Sequence, residues 1–329
     1  MKMKLKLKSL HFAVGALVIG AFLPLFIKND YYMMVLNRVL INIIVVLGLN
    51  FITGLTGQMN LGTAGIFALG AYSSALFTRY TNLTPWLGLI VAVIMGILIG
   101  RGLGYPSLRV RGVYLSLTTI GFGEVVRLLI SNTPKFTGGT QGIRNIRPYN
   151  IGSFQIQSQK EMYYLFLVFT AIAFFIAWRI AYSKWGRIFK SLRDNVEAVE
   201  MSGVDIASCK IKAFTVASIF GTVAGAMYAH YMGYKFGGSQ KNNVFYGLLT
   251  SLLMVGGLGS VVGTIFGSAI VTILPEMLRF LGNYYQIVFC SIILLGAIFF
   301  PDGWVSAATG LFMKMYQRIS GKSYAEGGE

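Results

Sequence analysis

The sequence predicts an all-α, polytopic transmembrane bundle of about eight to ten membrane helices, at least one of them broken, with both termini cytoplasmic. Three observations predict it. Of the 329 residues, 55% are hydrophobic and 12% charged, against about 25% charged in an ordinary soluble domain, and the mean hydropathy is +0.66. Apolar runs recur at the length a membrane helix requires, roughly 17 to 25 residues for a hydrocarbon core about 30 Å thick. Lys and Arg collect in alternate connections, as they do when those connections face the cytoplasm.

The opening "MKMKLKLKSLHFAVGALVIGAFLPLF" joins a basic segment to an apolar run, as a secretory signal does, but no A-x-A-like cleavage site follows. It reads as a retained first helix, 10–27, with Lys2, Lys4, Lys6 and Lys8 inside. Apolar runs place further elements at 33–52, 59–78, 86–103, 113–130, 162–182, 211–232, 244–258, 261–280 and 285–300. The eighth is short, and Gly256, Gly257 and Gly259 before the ninth predict a tight turn or a broken helix inside the protein. Together these elements make one transmembrane domain, 1–303, followed by a cytoplasmic basic tail, 304–329. With both ends inside, Arg101, Arg109, Arg111, Arg179 and the basic residues of 183–212 share the cytoplasmic side.

Two connections are long. Residues 131–160, rich in Gly, Asn, Ser and Gln, fall outside, and residues 183–210 fall inside. Each is a candidate docking surface, because loops on a rigid scaffold carry partner contacts; a solvated linker is the plainer reading of the outer one. The stretch "SKWGRIFKSLRDNVEAVEMSGVDIASCKIKAF" is the most charged of the chain.

The net charge of +17 fits nucleic-acid binding in a soluble protein. In so apolar a chain it points instead to loops facing an anionic leaflet, so membrane lipid is the expected partner and nucleic acid is not. Cys209 and Cys290 form no C-x-x-C pair and His11 and His230 are far apart in sequence, so neither a disulfide framework nor a metal site is indicated. "SGKS" at 320–323 offers the Gly-Lys-Ser of a P-loop, yet Tyr316 stands where the first Gly belongs and no strand precedes it. No motif of an enzyme stands out. If transport uses ATP, another subunit hydrolyses it.

"GLNFITGLTGQMNLGTAGIFALGAYSSALF" (48–77) is the most unusual apolar stretch. Gly54, Gly57, Gly62 and Gly65 weaken a regular helix. Asn50, Thr53, Thr56, Gln58 and Asn60 put amides and hydroxyls at membrane depth, where a discontinuous helix lines a pathway; a turn at the inner surface is the alternative. Downstream, Ala64, Ala68, Ala71 and Ala75 make one small-residue face suited to close helix packing. Glu124 and Arg127, like Glu276 and Arg279, are three apart on their helices, so each pair can neutralise itself on one face. Self-pairing and contact with a partner or a substrate gate stay equally open for them, which keeps Glu124 among the candidate pathway residues.

Four blocks in order now resemble a known family: the stretch just quoted, "LRVRGVYLSLTTIGFGEVVRLL" with "TGGTQGI", "GRIFKSLRDNVEAVEMSGVDIASCKIKAF", and "GGLGSVVGTIFGSAIVTILPE" before "FFPDGW". They are similar, over roughly residues 35 to 303, to the M-type permeases of bacterial importers for branched-chain amino acids driven by ATP-binding cassettes. The resemblance implies a helical permease of the inner membrane, related to those for ribose-type sugars. It implies as partners a second, homologous permease, two ATPase subunits and a periplasmic substrate-binding protein, with no cofactor on the chain itself. "RDNVEAVEMSG" matches the family's cytoplasmic coupling segment, a short helix that seats in the ATPase. Glu197, Ala198 and Gly203 stand at the spacing of its E-A-A-x-x-x-G pattern, Arg193 and Asp194 flank it, and Val199 departs from the second Ala. Importers of urea and short-chain amides use very similar permeases and are the alternative for substrate, and a secondary transporter working alone is the alternative for mechanism.

Overall fold

The computed structural model describes residues 15, 20–27, 29–110, 112–143, 146–151, 154–156, 158–236 and 259–300. Half of the expected element 10–27, and all of the element 244–258 and the tail 304–329, lie outside the described residues. Apart from the connections, the described residues are helical, with one two-residue antiparallel ladder, β1 (Asn150–Ile151) against β2 (Phe154–Gln155).

Helix α1 (Asp30–Leu49) begins where Asn29 accepts the Tyr31 amide at 2.9 Å and Asp30 favours the positive helix end. Its sequence is apolar on every side, and a helix of that kind belongs in the interior. Accordingly Val39 to Leu49 is buried throughout. The helix does not stop at Leu49 but widens into a π-helical segment, Asn50–Leu55. Around α1 stand α6 (Gln159–Ala181), α9 (Ile206–Phe236) and α10 (Val261–Met277). Polar side chains fasten them where water is absent: Asn37 donates to Gln159 Oε1 at 3.0 Å, Tyr231 to the same oxygen at 2.7 Å, and Asn42 to Thr272 Oγ1 at 3.0 Å.

The other layer is α2 (Thr63–Thr81), α3 (Pro85–Arg109) and α4 (Val113–Asn132), with α9 wedged between α2 and α3. Helices in lipid gain little from apolar burial alone and associate by close packing of small residues. On α3 the buried positions Gly88, Ala92, Gly96, Gly100 and Gly104 recur every fourth residue, and a Cβ added to Gly100 would collide with the Thr215 backbone of α9. Ala64, Ala68, Ala71 and Ala75 are buried on α2, the packing face their spacing predicts.

Between α4 and α6 lie short helices at Pro134–Thr137 (α5) and Gly139–Gln141 (3₁₀) and the β ladder. Two short helices, α7 (Lys184–Asp194) and α8 (Val196–Met201), occupy the charged loop. After α10 a 3₁₀ segment, Leu278–Tyr284, leads into α11 (Tyr285–Phe299). Among the described residues, six helical segments are long and apolar enough to cross a membrane: Asp30–Leu55, Pro85–Arg109, Val113–Asn132, Gln159–Ala181, Ile206–Met232 and Val261–Gly282. The chain is thus a multi-pass membrane protein.

Hydrogen bonds between distant segments sort the connections between two ends of the bundle. At one end Gly259, Arg193 and the 50–62 segment meet. At the other, Trp86 Nε1 donates to the Asn150 carbonyl at 2.7 Å and Arg147 to the Asn82 carbonyl at 2.6 Å. The 131–160 and 183–210 connections therefore occupy opposite ends.

Candidate functional site

The π segment sets the geometry. Its i→i+5 bonding inserts an extra residue into a turn, loosening the backbone, and such insertions concentrate at functional positions. Asn50, at its start, lays its Oδ1 against Gly54 and accepts the Gly259 amide at 2.9 Å. Gly54 has to be glycine here: a Cβ would collide with Asn50 Oδ1 and lie 2.6 Å from the Gly259 nitrogen. Thr56 Oγ1 donates back to the Ile52 carbonyl at 2.7 Å, which also accepts the Gln58 amide at 3.1 Å.

From Thr56 to Gly62 the chain is not helical. Asn60 organises this connector, its Oδ1 accepting the Gly62 amide at 2.9 Å and its Nδ2 reaching Thr63 Oγ1 at 3.4 Å. The Leu61 amide donates to Thr119 Oγ1 on α4 at 3.1 Å. Thr119 is a site residue that the reading of the sequence passed over; the signal was the Ser116 and Thr119 pair, one turn apart in an apolar run. Among the described residues Thr53 Oγ1 and Gln58 Oε1 are buried without a hydrogen-bond partner, which is costly and marks them as places for a ligand or water. A cleft of about 200 Å³ opens at Gln58, lined by Thr56, Gly57, Gln58, Ser107, Arg193 and Lys210.

The charged loop closes this end. In α7 Gly186, Phe189 and Leu192 are buried while Lys184, Arg187, Lys190 and Arg193 remain exposed, so the helix lies along the bundle surface. Asn195 then breaks the direction and caps α8, its Oδ1 accepting the Ala198 amide at 3.0 Å. Gly203 ends α8 at φ +74° while its amide bonds the Glu200 carbonyl at 2.9 Å, a left-handed stop that suits glycine. Asp194, Glu197, Ala198 and Gly203 are exposed, and Val199 points inward into the core. A groove lined by Arg187, Ser191, Asp194, Asn195, Ala198 and Ser202 separates α7 from α8. Met201 is 91% exposed beside it, a large apolar side chain overlooked in a segment read for its charges.

The structure brings the two groups of candidates together. Arg193 Nη1 donates to the Gly54 carbonyl at 2.9 Å, so the charged loop touches the broken helix directly. Glu124 stands apart. It is exposed on α4, clasped by Arg127 Nε at 2.9 and 3.0 Å. Glu276 behaves differently from the self-pairing that its spacing allows: its carboxylate faces Arg38 at 3.8 Å and accepts the Tyr31 hydroxyl, while Arg279 donates to that same hydroxyl. Among the described residues no cluster of three or more His, Cys, Asp or Glu is arranged to hold a metal.

Comparison with known proteins adds a lineage to this geometry. The family model described as branched-chain amino acid transport system / permease component matches residues 31–298. The high-affinity branched-chain amino acid transport system permease protein LivM of Escherichia coli (strain K12) is 29% identical over 89% of this chain and 74% of its own. The nucleoside ABC transporter permease protein NupC of Lactococcus lactis subsp. cremoris is 25% identical over 61% of this chain and 75% of its own. The ribose import permease protein RbsC of Escherichia coli (strain K12) is 22% identical over 85% and 88%. No solved structure matches the chain. A multi-pass bundle whose charged loop grips a broken helix, matched to that model along 31–298, belongs to the branched-chain amino acid transport system permease family.

Proposed function

We propose that the chain is a permease subunit of an ATP-driven importer that carries branched-chain amino acids across the bacterial inner membrane. The single observation that carries this reading is the family match over 31–298. The match to LivM over most of both chains supports the substrate class and disfavours urea or amides. The exposed 194–203 surface supports a docking role for the loop, since polar contacts of this kind suit a reversible interface.

In this reading Asp194, Glu197, Ala198 and Gly203 meet the ATPase, with Arg193 at the same loop, and ATP is hydrolysed by two partner subunits. The end holding α7 and α8 is then cytoplasmic, and 131–160 faces a periplasmic binding protein. A second permease completes the pathway; the Glu124–Arg127 pair, exposed on a membrane-length helix, favours such a neighbour over lipid. Asn50, Thr53, Thr56, Gln58 and Asn60 line the inner part of the route. ATP binding moves the loops and shifts the route between inward and outward opening, which requires contacts that differ between the two states.

The test is leucine uptake into proteoliposomes holding the chain, its partner permease and the ATPases, with binding protein outside. Uptake is expected only with internal ATP, and Glu197→Lys is expected to abolish ATPase capture while the chain still inserts. Ion-gradient uptake by the chain alone, or selective uptake of urea, overturns the reading.

A further inference from the structure

The guanidinium of Arg193 sits in a seat made of glycine. Its Nη1 bonds the Gly54 carbonyl at 2.9 Å. A Cβ on Gly57, whose φ is +68°, would lie 3.0 Å from Arg193 Cγ, and one on Gly259, at φ +83°, would lie 3.4 Å from Arg193 Nη1. Gly54 and Gly57 come from the broken helix, and Gly259 from the turn before α10. Arg193 therefore occupies a place where two unconnected segments meet, and a side chain at Gly57 or Gly259 would press against it.

The same place is where those segments bond each other, through the Gly259 amide and Asn50 Oδ1. Arg193 is rooted in α7, next to the Leu192 side chain buried in the core and one residue before Asp194 on the exposed face. A displacement of α7 or α8 is thus carried by one rigid fork to a carbonyl in the loosest turn of α1. The π segment can answer, because its i→i+5 pattern and an ordinary i→i+4 pattern differ by a shift of one hydrogen-bond partner.

We propose that Arg193 is a positioning residue that couples the charged loop to the broken helix, holding the π segment in one bonding pattern and releasing it when the loop moves. This rests on the importer reading, in which the loop receives the motion, but differs from docking: Arg193 acts inward, on Gly54, and not on the ATPase. The alternative role for so placed an arginine is a static brace.

The test uses the assembled transporter with Cys209→Ser, Cys290→Ser and Met59→Cys in this chain, Met59 being an exposed side chain on the connector. Maleimide labelling at position 59 is followed without nucleotide and with ATP trapped by vanadate. With Arg193 present, the labelling rate is expected to differ by about fivefold or more between the two states, the lower end of ordinary coupling between sites. Arg193→Ala is expected to keep ATPase binding and hydrolysis and to lose that difference, and Arg193→Lys, which retains one donor, to restore part of it. A nucleotide response in Arg193→Ala equal to that of the parent overturns the proposal. So does loss of ATPase capture in that variant, which makes Arg193 a docking contact, or failure of both variants to insert, which makes it a brace. Absence of any nucleotide response in the parent overturns it as well. A parent that never captures an ATPase is a separate result, and it defeats the importer reading itself.

Discussion

Glu276 is held by Arg38 of another helix, 3.8 Å away, although Arg279 follows three residues later, in the 3₁₀ segment after α10. The Tyr31 hydroxyl completes the arrangement, donating to Glu276 and accepting from Arg279 at 2.9 Å. A pairing that joins α1 to α10 fixes their register, which a pairing of Glu276 with its chain neighbour Arg279 cannot do. Tyr31→Phe removes one donor and one acceptor at once and is expected to cost about 1 to 2 kcal/mol, read as a lower melting temperature in detergent. Arg279→Gln is expected to cost less than Glu276→Gln, because Arg279 reaches the carboxylate only through that hydroxyl.

Gly203 is glycine for its backbone and not for space, since a Cβ there would meet nothing within 4 Å. At φ +74° an L-residue pays about 1 to 2 kcal/mol. Gly203→Ala is therefore expected to fray the end of α8 without affecting insertion, and to weaken co-purification with the ATPase roughly tenfold, the equivalent of about 1.4 kcal/mol. Gly203→Asn, which tolerates the left-handed region better, is expected to lie between. Equal ATPase capture by all three chains excludes a role for this turn.

Met201 extends its side chain into solvent at 91% exposure beside charged neighbours. Burying a methionine side chain gains about 1.5 to 3 kcal/mol, so docking that covers it would draw on one strong apolar contact within a polar rim. Met201→Ala is expected to raise the ATPase dissociation constant by about tenfold, and Met201→Leu to leave it nearly unchanged. An affinity unchanged in Met201→Ala removes Met201 from the interface.

Much of this architecture is written in local composition. Apolar runs place the helices because hydrocarbon demands internal bonding along each span, and the Asn, Thr and Gly cluster between 50 and 62 announces an interrupted helix. The π segment itself is not legible, because i→i+4 and i→i+5 bonding draw on the same residues. Nor is the Arg193 contact, which spans 139 positions and depends on how α7 folds back. The E-x-x-R spacing was satisfied at Glu124 and bypassed at Glu276 for one reason: only Glu276 has Arg38 and Tyr31 facing it from another helix. The stripe from Gly88 to Gly104 was open to a search for small residues at every fourth position, the periodicity that marked Ala64, Ala68, Ala71 and Ala75.

His230, at the far end of the bundle, is fully buried and engaged at both nitrogens. Nε2 lies 2.9 Å from Ser74 Oγ and Nδ1 2.9 Å from the Arg147 carbonyl, so one imidazole ties α9 to α2 and to the loop before β1. A carbonyl can only accept, which places the proton on Nδ1 and leaves Nε2 to accept from Ser74. The Tyr149 ring packs on the imidazole with centroids 5.1 Å apart, and burial pushes its phenol well above its ordinary pKa. His230→Phe keeps the ring contact but strands a buried hydroxyl and a buried carbonyl, each worth about 1 to 3 kcal/mol. The expected outcome is a melting temperature several degrees lower and faster trypsin cleavage at Lys135 or Arg147, with ATPase capture at the opposite end unaffected. His230→Gln, whose amide can donate to the carbonyl and accept from Ser74, is expected to recover part of the loss. Cleavage as slow in His230→Phe as in the parent protein shows that the loop is held by Trp86 and Arg147 without the imidazole.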